Sequence, residues 1–175
     1  MRNLLYRNIF RTPVTDPAPG RDEAALAKLA AKVDRAARRG LGRSLAIRAV
    51  DAGSCNGCEL EIHALNNAYY DLERFGIRFV ASPRHADVLL VTGPVTKNMR
   101  EALARTWAAV PDPKWVVAAG DCALDGGCFA ASYAVVGGVA EVVPVDLHIP
   151  GCPPTPTELL AGLLALLEGV AEPAD

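Results

Sequence analysis

The chain has 175 residues, enough for one compact domain with modest extensions. Hydrophobic residues make up 51% and charged residues 22%, which supports a buried core and argues against disorder. A net charge of −2 gives no case for a nucleic-acid binder.

The first 44 residues carry ten Lys/Arg against four Asp/Glu, and residues 45–175 carry eight against sixteen. That asymmetry divides the chain into a basic N-terminal arm and helix (1–44) and an acidic domain (45–175). A basic arm suits docking onto an anionic membrane surface or an acidic partner. Within residues 1–20, Leu4, Leu5, Tyr6, Ile9 and Phe10 form an apolar cluster, followed by Pro13, Pro17, Pro19 and Gly20. No apolar run approaches the ~20 residues that span a bilayer. The N-terminus lacks the apolar stretch of a signal peptide. These features predict a cytoplasmic chain with reduced thiols, in which five cysteines serve as metal ligands rather than disulfides.

A helix is predicted over 22–39. Asp22 and Glu23 suit its positive end, and Leu26, Leu29, Ala30, Val33 and Ala37 recur at helical spacing. Arg38, Arg39 and Gly40 mark its end. From residue 45 strands and helices alternate. Strands are expected at 45–50, 77–80, 88–92, 115–119, 141–145 and 147–149, and helices at 59–75, 98–110 and 156–169. Such alternation predicts a parallel sheet covered on both faces.

Four cysteines fall just after predicted strands. Cys55 and Cys58 follow the first, Cys122 follows 115–119, and Cys152 follows 147–149. Ligands in open parallel sheets bind beyond the carboxyl ends of strands, so three strand ends deliver four thiols to one edge. Glycines at 53, 57, 120 and 151 let the backbone approach a bulky ligand, and Pro153 and Pro154 stiffen the last loop. Iron–sulfur, zinc and dithiol chemistry all remain open at this point, with iron–sulfur favoured because the third and fourth thiols arrive singly and far apart. Cys122 and Cys128 both fit the third position by spacing. Cys122 is nearer the strand end, and Cys128, beside Phe129 and Ala130, reads as a small buried apolar residue.

The runs Gly53-Ser54-Cys55-Asn56-Gly57-Cys58-Glu59, Ser82 to Asp87, Val91 to Thr96, Gly120-Asp121-Cys122 and Val145 to Pro156 resemble the small subunit of membrane-bound group 4 [NiFe] hydrogenases of the formate hydrogenlyase type. That group is homologous to the 20 kDa (B) subunit of respiratory complex I, and the resemblance covers roughly residues 45–168. It implies a flavodoxin-like three-layer α/β domain and one [4Fe-4S] cluster on Cys55, Cys58, Cys122 and Cys152. It also implies a large subunit bearing the Ni–Fe site, a ferredoxin-like iron–sulfur subunit and membrane anchor subunits. The expected function is electron transfer at the cytoplasmic face of the membrane, as a peripheral oxidoreductase subunit with no catalytic residue of its own. The complex I subunit has adjacent cysteines at the first site, whereas Cys55-Asn56-Gly57-Cys58 has the hydrogenase spacing. A quinone oxidoreductase subunit is therefore the alternative, and a zinc-stabilised binding module a second.

Glu59, beside a ligand position at a helix start, reads either as dipole chemistry or as a proton relay. His63 reads as a surface or interface residue. The resemblance places Arg84 and His85 towards the cluster, and His148 can point either way. Trp107 and Trp115 read as packing.

Overall fold

The computed structural model describes residues 23–171. The arm expected over 1–20, and Asp22, lie outside that range. The first helix, α1 (Glu23–Leu41), turns Leu26, Ala30, Val33 and Ala37 into the core, as their spacing requires. Arg38 pairs with Asp34 one turn earlier at 2.9 Å.

Seven short strands follow: β1 (Ala46–Asp51), β2 (Arg78–Phe79), β3 (Val88–Thr92), β4 (Val95–Thr96), β5 (Trp115–Ala119), β6 (Val135–Gly137) and β7 (Leu147–Ile149). Four helices alternate with them: α2 (Gly57–Leu65), α3 (Arg100–Ala109), α4 (Asp121–Asp125) and α5 (Pro156–Ala171). The main sheet has the order β2-β1-β3-β5-β7, and every pairing in it is parallel. This is the flavodoxin-like order, with its reversal between β1 and β3.

The strands are apolar on both faces because both are covered. Val88, Leu90, Val117 and Ala119 pack with Ile62 of α2 and Leu159, Leu160 and Leu163 of α5. The alternate residues Leu89, Val91, Val116 and Ala118 pack with Leu103 of α3, Val110 and Val139. Helix α1 buries its stripe in the first of these cores. Helix α5 starts on a reciprocal cap: Thr155 gives its N–H to Glu158 Oε2 at 2.7 Å, and Glu158 returns its own to Thr155 Oγ1 at 3.3 Å.

Several elements differ from the sequence reading, among them the short helix α4, which was not expected. The helix expected over 59–75 stops at Leu65. Asn67 Oδ1 accepts the N–H groups of Tyr69 and Tyr70, Asp71 turns left-handed at φ 45°, and only a single 3-10 turn resumes at Leu72–Phe75. Residues 141–145 form no strand. Val139 and Val143 are buried from a 3-10 turn and the loop after it, so their β-branched character reflects burial rather than pairing. The small antiparallel pair β4–β6 was not foreseen.

At the amino ends of the strands, Asp87 is 1% exposed. Its carboxylate accepts the Ala46 N–H at 2.9 Å and pairs with the Arg43 guanidinium. The turn Pro83–His85 leads directly into this end, so Arg84 and His85 lie towards the edge opposite the cysteine loops, against the expectation from resemblance. Both side chains are exposed.

Candidate metal centre

Because the main strands are parallel, the loops after β1, β5 and β7 emerge at one edge. The first loop is wound around Asp51, whose Oδ1 accepts the N–H groups of Gly53 and Ser54, both at 2.7 Å. Ser54 Oγ in turn accepts the Asn56 N–H at 3.1 Å and donates to Glu59 Oε2 at 2.5 Å. Asn56 is left-handed at φ 72° and starts α2 without a side-chain cap. The first-turn N–H groups of a helix have no partner within it, and here they begin at Gly57 and include that of Cys58.

The second and third loops are stitched together. Gly120 donates its N–H to the Ile149 carbonyl at 2.8 Å, and Asp121 donates to the Gly151 carbonyl at 2.9 Å. Asp121 Oδ1 accepts the Gly151 N–H at 2.8 Å, closing a reciprocal pair. His148 settles inward: its Nε2 hydrogen-bonds the Gly120 carbonyl at 3.1 Å.

Gly120 marks where the first loop meets the second. Its backbone sits at φ 90° and ψ 158°, a region that side chains avoid. A methyl group there would lie 2.7 Å from Cys58 Sγ and 3.3 Å from the Gly151 carbonyl oxygen. A methyl on Gly57 would lie 3.5 Å from Cys55 Sγ and 3.8 Å from Pro153. All three loops are thus in contact.

The thiols sense one another as this geometry demands. Burial pushes the Cys58 thiol up from its ordinary value of 9.0 to about 12, and negative charge at Glu59, Cys55, Cys122 and Cys152 pushes it the same way. Burial also raises Cys122, with Cys128, Cys152 and Cys55 adding to the effect. Cys55, Cys152 and Cys128 are exposed, and Cys58 and Cys122 are half-buried. Cys128 is therefore not the buried apolar residue expected from its neighbours. It lies at the surface, and its negative charge adds to the upward push on the Cys122 thiol.

A raised folded-state value has a definite sign. Below pH 9 the Cys58 thiol is protonated both folded and unfolded. Between pH 9 and about 12 only the unfolded chain releases its proton, so stability falls with rising pH. Urea unfolding of the cluster-free chain is expected to show this alkaline loss, and the Cys58→Ser variant a flatter profile.

Among the described residues, no three His, Cys, Asp or Glu side chains are gathered tightly enough to hold a single ion. Four thiolates on one zinc ion, each at ~2.3 Å, must crowd closely. A four-iron cubane takes its thiolates at the corners of a larger box. Four soft thiols on three adjoining loops, beside a helix start with no side-chain cap, fit that group by donor type.

The sequence reading missed the residues that hold these loops. Asp51 and Asp121 carry no metal-ligand signature. The Asp-x-Gly spacing of Asp51 and Gly53 was the one available sign of a side chain folding back on its own backbone. His63 is exposed on α2, as expected.

The chain is similar to proteins of known lineage. It is 52% identical to formate hydrogenlyase subunit 7 of Escherichia coli K12 over 129 residues, covering 72% of this chain and 51% of that protein. It therefore spans about half the length of that relative. It is 46% identical to the probable membrane-bound hydrogenase subunit mbhJ of Pyrococcus furiosus over 132 residues, covering 75% and 79%. A solved structure, that of a membrane-bound sulfane sulfur reductase described as an archaeal respiratory membrane complex, contains a chain that superimposes with a TM-score of 0.66 at 35% identity, covering 81% of this chain and 76% of that one. Residues 55–166, which include all five cysteines, match the model of the NADH ubiquinone oxidoreductase 20 Kd subunit family. The chain belongs to that family.

Proposed function

We propose that Cys55, Cys58, Cys122 and Cys152 ligate one [4Fe-4S] cluster, and that the chain is the electron-transfer subunit of a membrane-associated [NiFe] hydrogenase complex. The observation that carries this reading is the meeting of three strand-end loops around four thiols. When bound, the cluster supplies one-electron transfer. The chain's own residues hold it, set its hydrogen bonds and limit its contact with water. The Cys-x-x-Cys spacing and the hydrogenase relatives favour hydrogenase over quinone reduction. Reduced protein examined by electron paramagnetic resonance is expected to lose the cluster signal in Cys58→Ser and Cys122→Ser and to keep it in Cys128→Ser. A signal lost in Cys128→Ser but kept in Cys122→Ser would reassign the third ligand.

The rim of the site supports a covering partner. Leu60, two residues after Cys58, is 62% exposed, and Leu124 and Phe129 are also exposed near the Cys122 loop. Large apolar groups around exposed thiols are suited to burial in an interface. The partner proposed is a large subunit carrying the Ni–Fe site, with a ferredoxin-like subunit and membrane anchors beyond it. Attachment would be peripheral, at the cytoplasmic face. No described helix is long and apolar enough to cross a membrane. The family match also accommodates a quinone oxidoreductase. The neighbouring large subunit decides between them: Cys-x-x-Cys pairs near both of its ends mean Ni–Fe.

Glu59 is proposed as a proton relay at that interface. Its Oε2 holds the Ser54 hydroxyl, while its Oε1 is buried with no partner. Glu59→Gln is expected to keep the fold and cluster but to slow proton-coupled turnover at least tenfold, a loss of about 1.4 kcal/mol. Undiminished turnover would remove the relay and leave Glu59 as a capping residue.

A further inference from the structure

The fifth thiol is placed against the proposed third ligand, and the backbone explains how. Helix α4 is a single turn and a half, closed by the Gly126 N–H donating to the Cys122 carbonyl at 3.0 Å. Gly127 then turns left-handed at φ 51° and folds directly over Cys122. A methyl on Gly127 would lie 2.8 Å from Cys122 Sγ and 3.1 Å from its Cα. The 3-10 turn Gly127–Phe129 is pinned by Phe129 N–H to the Gly126 carbonyl at 3.0 Å and by Ala130 N–H to the Gly127 carbonyl at 3.2 Å. The next side chain after this fold-back is Cys128, which is exposed and whose negative charge adds to the upward push of burial on the Cys122 thiol.

We propose that in the cluster-free chain Cys122 and Cys128 form a reversible disulfide that withholds one ligand from the site until a thiol reductant opens it. The inference rests on Cys122 being a cluster ligand. The oxidant class is a small-molecule disulfide such as oxidised glutathione. The exposed Cys128 sulfur attacks it, one sulfur–sulfur bond breaks, and a mixed disulfide forms as the first glutathione leaves as a thiol. Cys122 then attacks the Cys128 sulfur, and the second glutathione leaves as a thiol. Two protein thiols are oxidised, one small disulfide is reduced to two thiols, and both protein protons end on glutathione. A bound cluster prevents the reaction by occupying the Cys122 sulfur. The disulfide also keeps that sulfur off the irreversible part of the oxidation ladder while the site waits to be filled.

The test uses the full chain, stripped of iron by a chelator and fully reduced. It is equilibrated in glutathione buffers stepped from reducing to oxidising, alkylated, and cleaved at aspartate. Asp125 lies between the two cysteines, so a linked pair joins two fragments. Uptake of ferrous iron and sulfide is followed in the same buffers by visible absorbance. The expected result is a Cys122–Cys128 link in the wild-type chain and uptake slowed at least tenfold at the potential where it forms. Dithiothreitol should restore uptake, and Cys128→Ser should load normally at that potential. Free, alkylated Cys122 throughout, or uptake insensitive to the link, would overturn the proposal. A fully reduced chain that takes up no iron and sulfide would overturn the ligand reading itself, whatever the fragments show.

Discussion

Gly120→Ala is expected to abolish most loading of the proposed cluster while leaving a folded protein. The added methyl has two separate effects. It forces a side chain onto φ 90° and ψ 158°, which costs about 1–3 kcal/mol. It also falls 2.7 Å from Cys58 Sγ, closer than carbon and sulfur can approach, so the thiol must leave its place. The Gly151 carbonyl 3.3 Å away and Pro154 at 3.8 Å block retreat on the other side. Iron per chain and the visible absorbance after reconstitution measure the loss, and the urea midpoint measures the strain. Gly169→Ala is the matching control. Its methyl meets nothing within 4 Å on α5, so it should stabilise by roughly 0.5–1 kcal/mol and leave iron content unchanged. Full iron content in Gly120→Ala would mean that the first and second loops do not jointly shape the site.

Asp87→Ala should give the reverse pattern, a large stability loss with iron content preserved in the folded fraction. The carboxylate is 1% exposed and serves the Ala46 N–H and the Arg43 guanidinium together. Its removal leaves a buried backbone donor without a partner at the start of β1 and a cavity beside it. Arg43, largely exposed, can return to water, so the penalty falls below that of a wholly buried ion pair. A loss of about 3 kcal/mol is expected, which in a domain of this size lowers Tm by about 6–12 °C. Asp112→Ala, which removes an exposed carboxylate 3.8 Å from Lys114, should move Tm by no more than about 2 °C. Because Asp87 sits at the amino ends of the strands, the thiol edge should not respond. Equal losses of stability and iron would show that the two edges are coupled.

These contrasting residues show what could be read directly and what could not. Val88–Thr92 and Trp115–Ala119 were legible to the residue, since a strand buried on both faces is apolar without interruption. The positions of Cys55, Cys58, Cys122 and Cys152 relative to strand ends were equally plain, because a parallel sheet turns sequence order into a shared edge. Helix α2 was drawn too long because Tyr69, Tyr70 and Leu72 continue the apolar spacing past the point where Asn67 and Asp71 break the backbone. Cys128 was misplaced because Phe129 beside it looked like core, whereas Phe129 is itself at the surface. Asp87 and Asp121 stayed silent because a carboxylate that ties distant backbone together is defined by its partner, and the partner is invisible until the chain has folded.

The sheet order also sets a timetable. Cys55 and Cys58 ride on β1, near the middle of the sheet, and Cys152 rides on β7 at its far edge, the last strand to be synthesised. Roughly 90 residues separate the two, so a ribosome working at about 5–20 residues per second leaves an interval of about 5–20 seconds. Until Cys122 and Cys128 follow, the nascent chain exposes the early pair alone. The four thiols share an edge only once β7 has paired with β5 and α5 has covered it. On the proposed ligation the site can fill only after Cys152 has been made, and a product truncated before that residue lacks the fourth thiol.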